Sequence, residues 1–102
     1  MYTVIYEKQF YNDFDYWKKL VPELGNELQA VIAEIIENGR IPDEYNPHVL
    51  TNHNLNYRGN MEFHLLDGKI GLLVIYYPNQ KNRSFRFIRL GIHEELFHKQ
   101  EK

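Results

Sequence analysis

The 102-residue sequence contains no cysteine, an absence that fits a reducing compartment. Disulfide bonds, thiolate zinc sites and cysteine nucleophiles are therefore excluded. The sequence also has no apolar run of membrane-spanning length. Its first residues lack the basic start and long apolar stretch of a secretory signal peptide. We therefore expect a cytoplasmic protein.

Strong charge of either sign is also missing, because the formal net charge at pH 7 is only −2. The global charge therefore does not indicate a nucleic-acid-binding protein. The length predicts one domain, residues 1–102, and the share of hydrophobic and charged residues is that of an ordinary globular protein.

The positive charge is nevertheless unevenly placed. Four basic residues occur within nine positions without an intervening acid, namely Lys81, Arg83, Arg86 and Arg89. Such a basic strip can bind phosphate groups even on an acidic protein. Alternatively, the charges protect a solvated edge strand from pairing with another chain.

The hydrophobic periodicity of the N-terminal half predicts one strand followed by two helices. Residues 2–6 are apolar and β-branched or aromatic, which indicates a strand. Residues 7–20 carry apolar side chains at helical spacing, and Pro22 ends this helix and can open a second one. The second helix has one apolar face, and the pair Asn38-Gly39 predicts its left-handed end.

The C-terminal half predicts a sheet. Residues 41–56 are polar and indicate a long loop. Strands are predicted at residues 61–65, 70–77 and 84–90, with a two-residue hairpin turn at Asp67-Gly68 and a short helical turn over residues 91–97. The fold class is therefore α+β, in the order β-α-α-β-β-β with a short C-terminal helical turn. Two helices pack on one face of a mainly antiparallel sheet.

Three of the five histidines occur in informative positions. His64 alternates with the apolar residues of its strand and should point away from the helices, whereas His48 lies in the long loop and His93 follows the bend at Gly91. Imidazole is the natural general acid or base near neutral pH. Convergent histidines beside basic residues would therefore suit RNA cleavage without a metal. A metal site that uses histidines with Asp67 or Glu62 is the alternative, but no HExxH-like spacing supports it.

Four segments, taken in order, resemble the YafQ branch of the RelE superfamily. They are IPDEYNPHVL at residues 41–50, MEFHL at 61–65, LVIY at 73–76 and RLGIHEELF at 89–97. The last segment, with the pattern R-x-G-x-H-x-x-L-F, is the most specific. The resemblance implies a RelE-like fold and a toxin of a type II toxin-antitoxin system. Such toxins enter the A site of the 70S ribosome and cleave mRNA without a metal or another cofactor.

The resemblance also implies a cognate antitoxin, a DinJ-like ribbon-helix-helix protein, and a set of site residues. His93 becomes the main candidate for proton transfer, and His64 a second acid or base or a phosphate ligand. His48 would orient or bind the substrate, and Phe97 would be the supporting aromatic residue near the C-terminus. The basic strip and Arg58 are the candidates for RNA phosphate binding.

The sequence departs from the family pattern at two places. Asp67 is the candidate for the family's acidic residue, although it falls within the predicted turn. Met61 occupies a position where the family often has an arginine, which leaves Arg58 or a last-strand arginine to contact phosphate. His53 is an alternative to His48 as the loop histidine. Two other functions stay open, a non-nucleolytic toxin of the same fold and a protein-binding module.

Overall fold

The computed structural model describes residues 1–50 and 60–98, and for Phe97 and His98 only the backbone. The helices are α1 (Lys8–Leu20), α2 (Leu24–Asn38) and α3 (His93–His98), and short 3-10 turns span Asp43–Tyr45 and Leu66–Gly68. The strands are β1 (Thr3–Tyr6), β2 (His48–Val49), β3 (Met61–His64), β4 (Leu72–Asn79) and β5 (Ser84–Ile92). No helix within the described ranges is long and apolar enough to cross a membrane.

The strands form one sheet in the order β1-β5-β4-β3-β2. The β1 strand runs parallel to β5, and the other neighbours are antiparallel. This arrangement confirms the α+β fold class with a mainly antiparallel sheet. The β2 strand was not predicted, because a two-residue strand has no alternating pattern and forms only through pairing with β3.

The main core lies between one sheet face and the two long helices. The α2 helix contributes buried side chains at helical spacing, and the strands contribute every second residue. The buried core includes Leu24, Leu28, Val31 and Ile35 of α2, Phe63 of β3, Leu72, Val74 and Tyr76 of β4, and Phe85 and Phe87 of β5. The predicted packing of both helices on one face is confirmed.

The end of α2 also follows the prediction. Gly39 adopts a left-handed conformation with φ of 72°, and its N–H donates to the carbonyl of Ile35 at 2.8 Å. A Cβ at Gly39 would overlap the ring of Tyr2. Glycine is therefore required here both for the backbone conformation and for the approach of the N-terminal segment.

The connection between β3 and β4 corrects one prediction. The hairpin exists, but the two-residue turn at Asp67-Gly68 is wrong, because Leu66, Asp67 and Gly68 all have positive φ in a longer turn. The N–H of Leu66 donates to the Oε1 of Glu27 in α2 at 2.8 Å. This tertiary contact favours the longer turn over the tight one.

A second, smaller cluster covers part of the opposite sheet face. Leu73 and Ile75 of β4 are buried there against Leu96 of α3, with Leu50 and Ile88 at the margin. A Cβ at Gly91 would lie 3.2 Å from Leu96, so the glycine lets α3 approach the sheet closely. The α3 helix is therefore fixed on the face that the long helices leave open.

Candidate active site

Three polar side chains from neighbouring strands meet on the sheet face opposite the long helices. The alternation of β3 buries Phe63 in the main core and places Glu62 and His64 on the other face. The pairing of β2 with β3 sets His48 directly opposite Glu62. The structure thus brings together two of the predicted histidines, and it adds an acid between them.

The acid is the deepest member of this cluster, which we call the His-Glu-His cluster (His48, Glu62 and His64). The Oε2 of Glu62 lies 2.7 Å from the Nε2 of His48 and 3.4 Å from the Nε2 of His64. The side chain of Glu62 is only 6% exposed, against 43% for His48 and 27% for His64. The imidazole rings stack with centroids 5.6 Å apart. The carboxylate therefore lies beneath two imidazoles that solvent can reach.

The hydrogen bond between His48 and the backbone directs the other ring nitrogen towards Glu62. The Nδ1 of His48 lies 2.8 Å from the carbonyl oxygen of Asn46, and because a carbonyl only accepts, Nδ1 must donate. A neutral ring then has a bare lone pair at Nε2, which would repel the carboxylate at 2.7 Å. The short contact therefore requires a proton on Nε2 or on Glu62. This pair is already arranged for proton exchange.

The second carboxylate oxygen of Glu62 is unusual. Oε1 is buried and has no hydrogen-bond partner among the described residues. Burying an unpaired polar atom costs free energy, and buried polar atoms in native proteins almost always have partners. Such an atom is therefore a sign of function.

His93 and the nearby Gly91 lie beside the His-Glu-His cluster on the same face of the sheet. The strand register aligns His64 with Leu73 and Leu73 with Gly91, so two strand spacings separate His64 from Gly91, about 10 Å. His93 follows as the exposed first residue of α3, whose Leu96 packs on the same face. The third predicted histidine is therefore at the edge of this surface, outside the group of mutually close ligand atoms.

The sequence predicts a different acidic residue for this site, Asp67. Asp67 is exposed in the β3–β4 turn and does not belong to the cluster. The sequence predicts Glu62 only as an alternative metal ligand. The alternation that placed His64 on the open face places Glu62 there too, so this signal was present in the sequence.

The last arginine of the basic strip is held by the first helix. Arg89 donates from Nε and Nη2 to the two carboxylate oxygens of Asp13, at 2.8 and 3.2 Å. The same carboxylate accepts the backbone N–H of Leu90 at 2.9 Å. Asp13 therefore fixes both the guanidinium and the open edge of β5. Across the sheet, Arg89 lies in register with Ile75 and, beyond it, Glu62.

The rest of the basic strip is more exposed. Arg86 forms an ion pair with Glu7 at 2.9 Å, with both side chains over 40% exposed. Lys81 and Arg83 lie exposed in the β4–β5 turn. Arg58 and His53 lie outside the described residues, and the same holds for the side chain of Phe97.

Comparisons with known proteins agree with this geometry. Residues 2–98 match the family model described as "Bacterial toxin of type II toxin-antitoxin system, YafQ". The fold is similar to that of a metal-bound toxin from Helicobacter pylori, with a TM-score of 0.75, 28% identity, and 95% of this chain and 100% of that chain covered. It is also similar to a chain of the E. coli DinJ-YafQ complex, with a TM-score of 0.71, 24% identity, and 95% and 99% covered. Comparison with curated proteins gives no significant match.

Proposed function

The chain belongs to the YafQ family of type II toxins, and from this premise we propose that it is an endoribonuclease that cleaves mRNA in the ribosomal A site. The observation that supports this proposal is the His-Glu-His cluster, whose two imidazoles contact one buried carboxylate and are open to solvent beside His93. Grouped imidazoles that can take and give a proton near neutral pH are what metal-independent RNA cleavage needs.

In the proposed reaction the 2′-hydroxyl oxygen of a nucleotide attacks the adjacent phosphorus, and the bond from phosphorus to the 5′-oxygen breaks. His64 accepts the 2′-hydroxyl proton, because its ring is accessible and lies against the Glu62 carboxylate. His93 donates a proton to the leaving 5′-oxygen from the start of α3. A positioned acid or base of this kind contributes roughly 10²- to 10⁴-fold in rate.

Glu62 and His48 support these steps. Glu62 is too buried to contact RNA and acts as a positioning residue that orients both rings. His48, the more exposed ring, orients the substrate. Phe97 remains the proposed aromatic support of the site, and Asp67 is not needed for these steps.

Phosphate binding falls to the basic strip. Arg89 lies in the sheet row of Glu62 and is oriented by Asp13, so it is the candidate to stabilise charge on the phosphorus centre. Arg86 can exchange its exposed partner Glu7 for phosphate, because such surface pairs contribute less than about 1 kcal/mol. Lys81, Arg83 and Arg58 would contact flanking phosphates.

The proposed partners follow from the family. The DinJ-YafQ complex contains a toxin together with its antitoxin, and we expect a DinJ-like ribbon-helix-helix antitoxin to bind this chain. A short reading frame for such a protein beside the gene would support this expectation. Action on ribosomes places the protein in the cytoplasm.

The experiment combines purified toxin, 70S ribosomes and a defined mRNA, with primer extension to map cleavage. Wild-type protein should cut within the A-site codon, and His93→Ala should reduce the rate at least roughly 10²-fold. Glu37→Gln on the exposed side of α2 should cleave as the wild type does. Growth arrest with intact mRNA would favour the non-nucleolytic toxin instead. Absence of both arrest and cleavage would favour a protein-binding module.

A further inference from the structure

The His-Glu-His cluster has more potential metal-ligand atoms than acid–base catalysis needs. One ligand atom from each of its three residues lies within 4.8 Å of the others. We propose that His48, Glu62 and His64 bind a divalent transition-metal ion of the copper and zinc class, and that the bound ion inhibits the toxin. The inhibition rests on the proposed nuclease function, whereas the binding does not.

The donor set selects the class of ion. Two imidazole nitrogens and one carboxylate oxygen suit zinc and copper, whereas magnesium and calcium prefer sites made of oxygen atoms. Three protein ligands leave a fourth position for water, a common arrangement around zinc. The cluster therefore favours an exchangeable ion with an open position over a closed structural site.

The distances are close to those required. Bonds of about 2.0–2.1 Å in a tetrahedral site place two donor atoms about 3.4 Å apart. The Nε2 of His64 is already 3.4 Å from the Oε2 of Glu62. The Nε2 of His48 is at 2.7 Å and would move outward by about 0.7 Å. His48 can make this movement because it lies exposed on a two-residue edge strand.

Two further features of the cluster favour the binding of a cation. The hydrogen bond from Nδ1 of His48 to Asn46 directs Nε2 towards Glu62, and metal-binding histidines typically make such a bond to a carbonyl or carboxylate. The Oε1 of Glu62 is buried without a partner among the described residues, so a cation bound at Oε2 would offset the cost of burying this carboxylate. Because metal ligands must be deprotonated, the ion would bind in exchange for a proton.

An ion at this position occupies the nitrogen lone pair that His64 would use to accept a proton. Because His93 lies outside the ligand group, its loss should stop cleavage without weakening metal binding. The two properties can therefore be separated by single substitutions on one face of the sheet.

Binding is tested on protein without a polyhistidine tag, by electron paramagnetic resonance with Cu²⁺ and by calorimetry with Zn²⁺. Wild type and His93→Gln should each bind one ion per chain, and Cu²⁺ should show coupling to two nitrogens. His64→Gln and His48→Gln should bind at least roughly tenfold more weakly, with one nitrogen coupled. Glu62→Gln should also weaken binding. Circular dichroism checks that each variant is folded.

Wild-type affinity in His64→Gln, or loss of binding in His93→Gln alone, would overturn the metal site. Inhibition is read from mRNA cleavage with Zn²⁺ added, and from its recovery with a chelator selective for zinc over magnesium. Cleavage that continues with the site saturated would overturn the inhibitory role while leaving the site standing. If no condition gives cleavage, the nuclease function fails, and the binding data still decide the metal site.

Discussion

At the scale of single residues, Glu62 has two differently placed carboxylate oxygens. Oε2 contacts both histidines of the cluster, whereas Oε1 is buried without a partner in the described part of the chain. Such an arrangement is poorly explained by the stability of the fold alone, because burying an unpaired polar atom costs free energy and replacing a buried ion pair by apolar side chains often leaves stability unchanged or improves it. The acid is better explained by what it does to the imidazoles.

We therefore predict that Glu62→Gln separates activity from stability. The amide has the same shape and can donate to the Nε2 of His48, so the free energy of unfolding should change by less than about 1 kcal/mol. Cleavage should fall at least roughly tenfold, because the carboxylate that contacts both imidazoles is lost. Rate measurements over pH should also show a changed profile, which a purely structural role would not produce.

The control for this substitution is Glu37→Gln in α2, which also keeps the shape of the side chain and lies exposed on the surface of that helix. It should leave both the rate and its pH profile unchanged. Wild-type cleavage by the Glu62→Gln protein would show that the carboxylate does not orient the histidines.

At the scale of secondary-structure elements, Asp13 joins α1 to the edge of β5 beyond the end of β1. It forms a two-point ion pair with Arg89 and also accepts the N–H of Leu90. The Asp13 side chain is 11% exposed and that of Arg89 is 25% exposed. Screening by water is therefore weaker here than at the exposed pair between Arg86 and Glu7.

Asp13→Ala should lower the free energy of unfolding by roughly 2–3 kcal/mol, because it leaves a partly buried guanidinium and a backbone N–H without this acceptor. Glu7→Ala is the matched control and should cost less than about 1 kcal/mol. Urea unfolding followed by circular dichroism measures both. Equal losses in the two variants would contradict the role assigned to Asp13.

The contact between β5 and α3 gives a prediction about the position of His93. A Cβ at Gly91 would lie 3.2 Å from the side chain of Leu96, so in Gly91→Ala the start of α3 should shift by a few tenths of an ångström and displace His93. Cleavage should fall roughly tenfold or more, because small displacements of a catalytic group have large effects on rate. The main core should remain folded, since α3 packs in the smaller cluster.

Gly25→Ala is the corresponding control, because a Cβ at Gly25 meets nothing within 4 Å. It lies in α2, where alanine is the better helix former, so stability should hold or increase. If Gly91→Ala cleaved RNA at the wild-type rate, the close approach of α3 would not be needed to place His93.

At the scale of the whole molecule, the main core includes a buried tyrosine. Tyr76 is 2% exposed and stacks on Phe85, and burial raises its pKa from 10.0 to about 12. A raised pKa means that the folded state holds the phenolic proton more tightly than the unfolded state. This contribution to stability is complete below pH 10 and is lost as the pH rises towards 12.

We predict that the wild-type protein loses up to roughly 2–3 kcal/mol through this group between pH 10 and 12, since each pKa unit corresponds to about 1.4 kcal/mol. Tyr76→Phe cannot ionise, so its stability should decline less over the same range. Tyr77→Phe, at an exposed neighbouring position, should retain the wild-type decline. Urea unfolding at a series of pH values measures the difference. Parallel curves for wild type and Tyr76→Phe would contradict the effect of burial.

The sequence by itself determined the layout of the molecule. Periods of 3.6 and 2 residues and the breaks at Pro22 and Gly39 were enough to predict both long helices, the strands other than β2, and the face on which His64 lies. These signals are local, since they depend on which side of one element is apolar. The last segment also carried the resemblance that led to the toxin family.

Tertiary structure decided how the site is composed. The pairing of β2 with β3 brought His48 against Glu62, and the anchoring of Leu66 by Glu27 left Asp67 in an exposed turn away from the cluster. Asp13, over seventy positions from Arg89, fixed the direction of a predicted phosphate ligand. These contacts join residues far apart in the chain, so no local sequence pattern predicts them. The sequence therefore supplied the candidate histidines, and only the folded sheet showed which acid they share.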